Sequence, residues 1–306
     1  MAAPSPTPPT SGRVLLVLLI AVAAVSLSAI FIRLAQAPGV VVASQRMLIA
    51  ALLLAPITWR GVRRTPFTRK SLAFTVLAGV FLAIHFATWI SSLSFTTVAA
   101  SVTIVCSNPL WVALFSWLFL GKPPSLTMLM GVLLAVLGGA MIAFGDLTGG
   151  SAPLLGDALA LVGALTVSAY LLLGRTAQRE GLSLGAYAGS AYTISALLLL
   201  PVPALFGFPY LGYDAATYGW IFLLAALPQL VGHTGVNYAM KFLDPTLVTT
   251  VILLEPIGAA LLALLLFAEV PGLLTVVGAL VLLVGVLLTV RFGQSVPLPE
   301  ATPAAE

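Results

Sequence analysis

The chain has 306 residues, of which 60% are hydrophobic and 7% charged, with a mean hydropathy of +1.15 and a formal net charge of +4. Soluble domains carry about 25% charged residues, so this composition excludes a soluble protein and points to one built into a bilayer. The lone cysteine, Cys106, excludes intrachain disulfides and cysteine-clustered metal sites, and reads as a small core residue.

A helix needs about 20 mostly apolar residues to cross the hydrocarbon, because lipid offers its backbone no hydrogen-bond partner. In chain order, ten segments meet that need: 14–34, 40–59, 71–92, 97–119, 125–145, 155–174, 183–206, 217–239, 245–267 and 273–291. The loops between them are too short for a soluble domain. The Pro-rich ends, 1–13 and 292–306, read as unstructured tails. Ala35-Gln36-Ala37 resembles a signal-peptide cleavage site, but the apolar stretch before it exceeds the usual run of about 7–15 residues and Arg33 intervenes. The first segment therefore reads as a retained helix.

Polar residues inside the segments are the candidates for function, and helical spacing decides which of them share a face. Segment 2 clusters Ser44, Gln45 and Arg46 toward its outer half; segment 3 stacks Phe81, His85 and Trp89; segment 4 puts Ser101, Asn108, Trp111 and Phe115 on one side; segment 8 lines up Gln229, His233 and Asn237 at successive fourth positions. Together they predict a cavity that is part aromatic and part hydrogen-bonding, suited to a neutral zwitterion with an apolar tail. Each also has a plainer reading. Either histidine could bond a neighbouring helix, Trp89 could sit in an interfacial belt and Trp111 could face lipid. Arg46 is either a carboxylate-binding group or the partner of an acid; Arg33 reads as a snorkelling end residue. In segment 5, Gly131, Ala135 and Gly139 form a small face that permits close helix contact, either within the bundle or in a dimer.

Two stretches read alike. SNPLWVALFSWLFLGKPPS (107–125) and LEPIGAALLALLLFAEVPG (254–272) each put a polar residue before a proline, then an apolar run, then a proline turn. An offset of 147 maps Phe95 to Phe242, Pro109 to Pro256, Ala113 to Ala260, Leu118 to Leu265, Pro124 to Pro271, Gly131 to Gly278 and Gly138 to Gly285. Five segments per copy is an odd number, so residues 14–145 and 155–291 are expected to cross the membrane in opposite senses, a recurrent plan of secondary transporters with the substrate site near the midplane. At about 1.5 Å per residue, Asn108-Pro109 and Glu255-Pro256 lie roughly 16 Å deep, near the middle of a core about 30 Å thick. Each proline removes a donor and leaves the carbonyl four residues earlier, Val105 or Ile252, without its usual partner. Paired breaks of this kind predict two bendable helices beside a watery cavity. Glu255 is costly at that depth unless it serves a pathway or is paired, and reads as a proton-sensitive gate or coupling group, or else as a structural acid bonded to a neighbour.

Eleven of the thirteen Lys and Arg residues fall in the tails and alternate loops that share a side with the N-terminus, and the opposite loops carry Asp146, Asp214 and Glu269 with no Lys or Arg. The positive-inside rule thus predicts both termini in the cytoplasm, and the positive charge reflects topology, not a nucleic-acid-binding patch. No HExxH, cysteine pair, intramembrane acidic dyad or Walker A sequence is present, which argues against an intramembrane enzyme or an ATP-driven pump and implies no cofactor. A channel or a purely structural membrane protein would have no use for paired hinges and a midplane Glu255.

The polar-Pro element, the short loop after it, the Gly-containing last helix of each half, and HFATWISSLSFTTVAAS (85–101) resemble the drug/metabolite transporter superfamily of EamA type, over roughly 13–292. The chain looks most like the YddG group of exporters. That resemblance implies ten transmembrane helices in two inverted five-helix repeats around a central cavity. It also implies a multi-pass protein of a bacterial inner membrane that exports aromatic and other neutral amino acids or related metabolites by alternating access. Another small metabolite or a drug is the alternative substrate, and the oligomeric state is open. Carried onto this chain, the family's Glu-Pro element is Glu255-Pro256, with Pro109 as its counterpart. Asn108 stands where a matched carboxylate would be, which puts any two-acid mechanism in doubt. Residues expected to bind substrate are Arg46, His85, Trp89, Asn108, Trp111, Gln229, His233 and Asn237.

Overall fold

The computed structural model of the chain describes residues 9–96, 98–144, 151–267 and 272–292. These residues are helical throughout: α1 (Ser11–Val25), α2 (Ser28–Leu34), α3 (Gly39–Arg64), α4 (Arg69–Ser92), α5 (Val98–Val105), α6 (Asn108–Leu120), α7 (Leu126–Phe144), α8 (Pro153–Arg179), α9 (Leu184–Leu199), α10 (Val202–Leu205), α11 (Ala215–Leu224), a π-helix (Ala225–His233), α12 (Thr234–Phe242), α13 (Pro245–Ile252), α14 (Glu255–Phe267) and α15 (Leu273–Phe292). Most of both tails lies outside the described residues, as do Asp146, Glu269 and Pro271.

Among the described residues, seven stretches are long and apolar enough to cross a bilayer: Ser11–Leu34, Gly39–Arg64, Arg69–Ser92, Pro153–Arg179, Leu184–Leu205, Ala215–Phe242 and Leu273–Phe292. The other three expected segments appear as shorter apolar helices, Asn108–Leu120, Leu126–Ile142 and Pro245–Gly258. For the first and the third the reason lies in the prolines. Segments 97–119 and 245–267 do not merely bend; each separates into two helices, and the first of each pair ends at Val105 or Ile252, the residue four before the proline. The chain passes each break through tight three-residue turns, with Ser107 N–H donating to Ile104 O (3.1 Å), Leu253 N–H to Thr250 O (3.1 Å) and Leu254 N–H to Val251 O (3.1 Å).

Two further interruptions are not evident from hydropathy. The first segment breaks at Ser26-Leu27, between α1 and α2. Segment 8 widens into the π-helix around Pro228. Proline cannot donate to the carbonyl four residues before it, and a wider turn lets the chain pass without a full break.

Helix ends follow local chemistry. Thr68 and Ser71 form a reciprocal capping box at the start of α4, and Gly121 ends α6 at φ 63°. Asp214 caps α11 through Thr217 N–H (2.7 Å), and Asp244 caps α13 through the N–H groups of Thr246 (2.9 Å) and Leu247 (3.3 Å). On the predicted cytoplasmic side, Lys70 pairs with Glu180 at 2.6 Å, tying the first turn of α4 to the α8–α9 loop.

The helices pack as α4 on α8, α3 on α9, α7 on α15, and α1 on the π-helix and α12. Small residues carry the α7–α15 seam: Gly131 lies against Gly285 and Thr289, and Gly138 against Gly278 and Leu282. A methyl group at any of these glycines would run into backbone across the seam. The small face expected at Gly131, Ala135 and Gly139 is therefore corrected by one position. Gly138, not Gly139, makes the close approach, since the crossing helix follows neighbours spaced by three as well as four.

Candidate functional site

The broken segments meet near the centre of the bundle. Between them lies a cavity of about 60 Å³, walled by Val25, Ser28, His85, Trp89, Val102, Val105, Cys106, Asn108, Val167, Leu171, His233, Val236, Ile252 and Glu255. Both polar-Pro residues therefore face one space. It exceeds the roughly 10–15 Å³ that a single water needs and falls well short of the roughly 300 Å³ or more in which a drug-sized ligand is held.

His85 and Trp89 are positioned by α4, a helix without interruption. Their rings stack at 5.6 Å with an interplanar angle of 12°. His85 Nδ1 lies 2.9 Å from Gly163 O on α8. A carbonyl only accepts, so Nδ1 carries the proton, and in the neutral ring Nε2 presents a lone pair. Trp89 is buried with its Nε1–H unpartnered. Its Cβ packs on Gly163, where any side chain would wedge α4 away from α8.

The two breaks are held in the same way from opposite sides. Ser26, at the end of α1, has its hydroxyl 3.3 Å from Glu255 O and 2.9 Å from Val22 O. Ser168 on α8 has its hydroxyl 3.3 Å from Asn108 O and 2.7 Å from Ala164 O. Each hydroxyl has one proton and two acceptors, so it serves its own helix or the break, not both fully. Gly258 makes the first approach possible, because a Cβ there would collide with the Ser26 side chain. At the matching place in the first half stands Trp111.

Arg46 is the largest fully buried side chain. Its Nε–H donates to Gln229 Oε1 (3.0 Å) and its guanidinium lies 4.2 Å from the centre of the Phe86 ring. Phe86 in turn meets His233 edge-on at 5.4 Å. Both terminal nitrogens of Arg46 are buried without a partner, and the guanidinium is within electrostatic reach of Glu255, His85 and His233. The outer side of this cluster is covered by the loop after α10: Gln45 Nε2 donates to Tyr210 O (2.6 Å), and the hydroxyls of Ser44 and Tyr210 share a hydrogen bond of 3.0 Å.

Of the residues singled out from the sequence, His85, Trp89, Asn108, His233 and Glu255 come together on the cavity wall. Arg46 and Gln229 sit behind it as a bonded pair. Trp111 is outside the wall, its Nε1 donating to Ser107 Oγ at 3.0 Å. Asn237 belongs to a separate buried network, donating to Tyr170 Oη at 2.5 Å and accepting through its backbone oxygen from Gln178 at 3.0 Å. The stripe of Gln229, His233 and Asn237 is thus split three ways. Fourth neighbours share a face but sit about 6 Å apart along the axis, so each level of the stripe meets a different neighbouring element: Arg46, the cavity or Tyr170. Sequence reasoning missed Ser26 and Ser168. Ala24-Val25-Ser26 and Thr166-Val167-Ser168 correspond at an offset of 142, not the 147 of the other matches, and both valines line the cavity.

The model of the EamA-like transporter family matches the chain twice, at residues 12–144 and 154–291. The chain belongs to the EamA-like transporter family. Among relatives of this EamA member is an uncharacterized transporter of Archaeoglobus fulgidus, 26% identical over 248 residues, which cover 79% of this chain and 84% of the relative. A solved crystal structure superposes with a TM-score of 0.76 at 16% identity, covering 93% of this chain and 99% of its own, which establishes likeness of fold. As an EamA transporter the chain is a multi-pass membrane protein that handles a small molecule within a lipid environment.

Proposed function

We propose that the chain is a secondary transporter that exports neutral amino acids, aromatic and other, or related small metabolites, by alternating access through the cavity between its two broken segments. This is the YddG-like reading, with both termini cytoplasmic in a bacterial inner membrane. The observation that carries it is the meeting of Asn108-Pro109 and Glu255-Pro256 in one cavity. Irregular backbone at membrane depth is tolerated where it lines a cavity, and broken helices at the midplane are where transporters bind their cargo.

Two inverted five-helix repeats, with ten crossings in all, are supported by how the wall is built. Its residues come in pairs related by the repeat offsets: Val25 with Val167, Val105 with Ile252, Trp89 with Val236, and Asn108 with Glu255. His85 pairs with His233 at 148, one more than the offset of 147, because the second half has one residue fewer between this pair and that of Trp89 with Val236. The α7–α15 seam exchanges like for like, Gly131 against Gly285 and Gly138 against Gly278, as a two-fold relation requires. The hydroxyls of Ser26 and Ser168 cross in the same sense.

The small size of the cavity supports motion. A cavity of about 60 Å³ is tight for an amino acid, and in this reading binding and release move the half-helices apart. Two proline breaks, each held by a single weak serine bond, supply the joints. In this reading Glu255 is the gating or coupling group, Pro109 and Pro256 are the hinges, and Arg46 with Gln229 stiffens the wall behind Phe86.

Counterflow of labelled amino acids into proteoliposomes tests the proposal. Saturable, substrate-specific exchange that is lost in Glu255→Ala is expected; absence of saturable flux for every amino acid offered would refute it.

A further inference from the structure

The cavity wall offers lone pairs and no cation. Glu255 brings a carboxyl group with no hydrogen-bond or ion-pair partner among the described residues. Asn108 lies 94% buried, and its Oδ1 has no partner. His85 is committed to Gly163 through Nδ1, which leaves Nε2 as an acceptor in the neutral ring. These three groups come from α14, α6 and α4, and all border the same space. No Lys or Arg lines it among the described residues. Arg46 is not on the wall; its guanidinium packs on Phe86 and reaches Glu255 only by charge at a distance, with no ion pair between them.

We propose that the cavity recognises its substrate by a primary ammonium group on a small, branched aliphatic body, with Glu255, Asn108 and His85 as the three acceptors. This rests on the transport reading above and narrows it. A primary ammonium has three N–H donors and no acceptor, which suits the three acceptors brought by Glu255, Asn108 and His85. A cation entering a low-dielectric site needs a nearby opposite charge and bonds for each of its protons; Glu255 can supply the first and the trio the second. The remaining wall is largely aliphatic and β-branched, with Val25, Val105, Val167 and Ile252 among its members. Such side chains are stiff at χ1 and yield little to a flat indole or phenol. A carboxylate on the substrate finds one unpartnered donor, the buried Trp89 N–H, and no lining cation among the described residues, so it is not what the site reads. The full neutral zwitterion is then one acceptable ligand among amines, and removal of its carboxylate leaves recognition intact.

The test compares four probes of one shape on the purified full-length protein: L-valine, isobutylamine, N-acetyl-L-valine and the 2-oxo acid of valine. Acetylation removes the charge and two of the three donors; the oxo acid has none. Binding is read in detergent by thermal shift and by quenching of tryptophan fluorescence, and transport by competition in proteoliposome counterflow. Isobutylamine is expected to bind and compete within a few-fold of L-valine, and the other two at least tenfold more weakly, the loss expected for charge-assisted hydrogen bonds. Asn108→Leu and Glu255→Gln should each weaken the amine by about tenfold or more, and Asn108→Asp, which keeps an acceptor, by less; monodispersity and the melting midpoint report whether each variant is folded.

Binding of N-acetyl-L-valine or the oxo acid as tight as that of L-valine overturns the inference whatever the flux shows. Amine binding with the expected selectivity but without saturable flux sustains it and removes the transport reading instead. Selective flux of L-phenylalanine with no response to isobutylamine in either assay overturns the inference and leaves transport standing.

Discussion

The two breaks at the centre of the molecule are alike in backbone and unlike in side chains. Both end a short helix four residues before a proline, both continue with a half-helix that starts at the polar residue, and both receive a serine hydroxyl on that residue's carbonyl. Yet one carries Asn108 and the other Glu255, and three residues on, one carries bulky Trp111 and the other Gly258. Shared backbone geometry provides two equivalent joints. Different side chains make the site between them one-sided, with a single acid and an indole on the wall opposite Val236. A substrate with distinct ends would use that asymmetry, and under the proposed alternating access the paired breaks would be its hinges.

The largest expected effect comes from making the second break resemble the first at its tightest place. Gly258→Trp drives an indole into Ser26 and α1; overpacking of this size costs about 3 kcal/mol and should lower the detergent melting midpoint and abolish flux. Trp111→Gly, the reverse change, should leave both nearly intact by comparison. Next, Glu255→Asn, which equalises the polar residues, should cut counterflow by about 100-fold or more, since it takes away both the wall's acid and one side of its charge asymmetry. A variant with wild-type exchange would make the asymmetry irrelevant.

Replacing Pro256 or Pro109 with Ala restores a donor for Ile252 O or Val105 O and favours a continuous helix. Turnover should fall about tenfold in each with binding of substrate little changed, and equal losses in the two variants would show that the joints share the motion. Normal turnover with poor affinity would assign the prolines to the site instead of the hinge. Ser26→Ala and Ser168→Ala remove one weak hydroxyl bond each, worth about 1 kcal/mol. Each should shift the balance of cysteine accessibility between the two membrane faces by roughly fivefold. The smallest effect is expected at Trp111→Ala, whose ring lies off the cavity wall; substrate affinity within about twofold of wild type is the expected result, measured by binding titration.

Much of the framework was legible from composition and period alone. Apolar runs located the crossings because every backbone amide in lipid must be satisfied inside its own helix. Pro109 and Pro256 marked the breaks because an imino nitrogen has no proton to give, and His85, Trp89, Asn108, His233 and Glu255 stood out as polar or amphipathic groups where lipid admits few. Those statements depend on residues near one another in the chain.

What tertiary structure alone decided is where those groups point and what each already holds. Helical spacing placed Gln229, His233 and Asn237 on one face, but the neighbours met at successive levels divide them among Arg46, the cavity and Tyr170. Arg46 gave no sign in sequence that Phe86 would wall it off, and Ser26 and Ser168 are unremarkable serines until two distant carbonyls arrive beside them. Burial and hydrogen-bond pairing belong to contacts between segments more than a hundred residues apart in several cases, and no local pattern encodes which of two equally polar side chains will find its partner already taken.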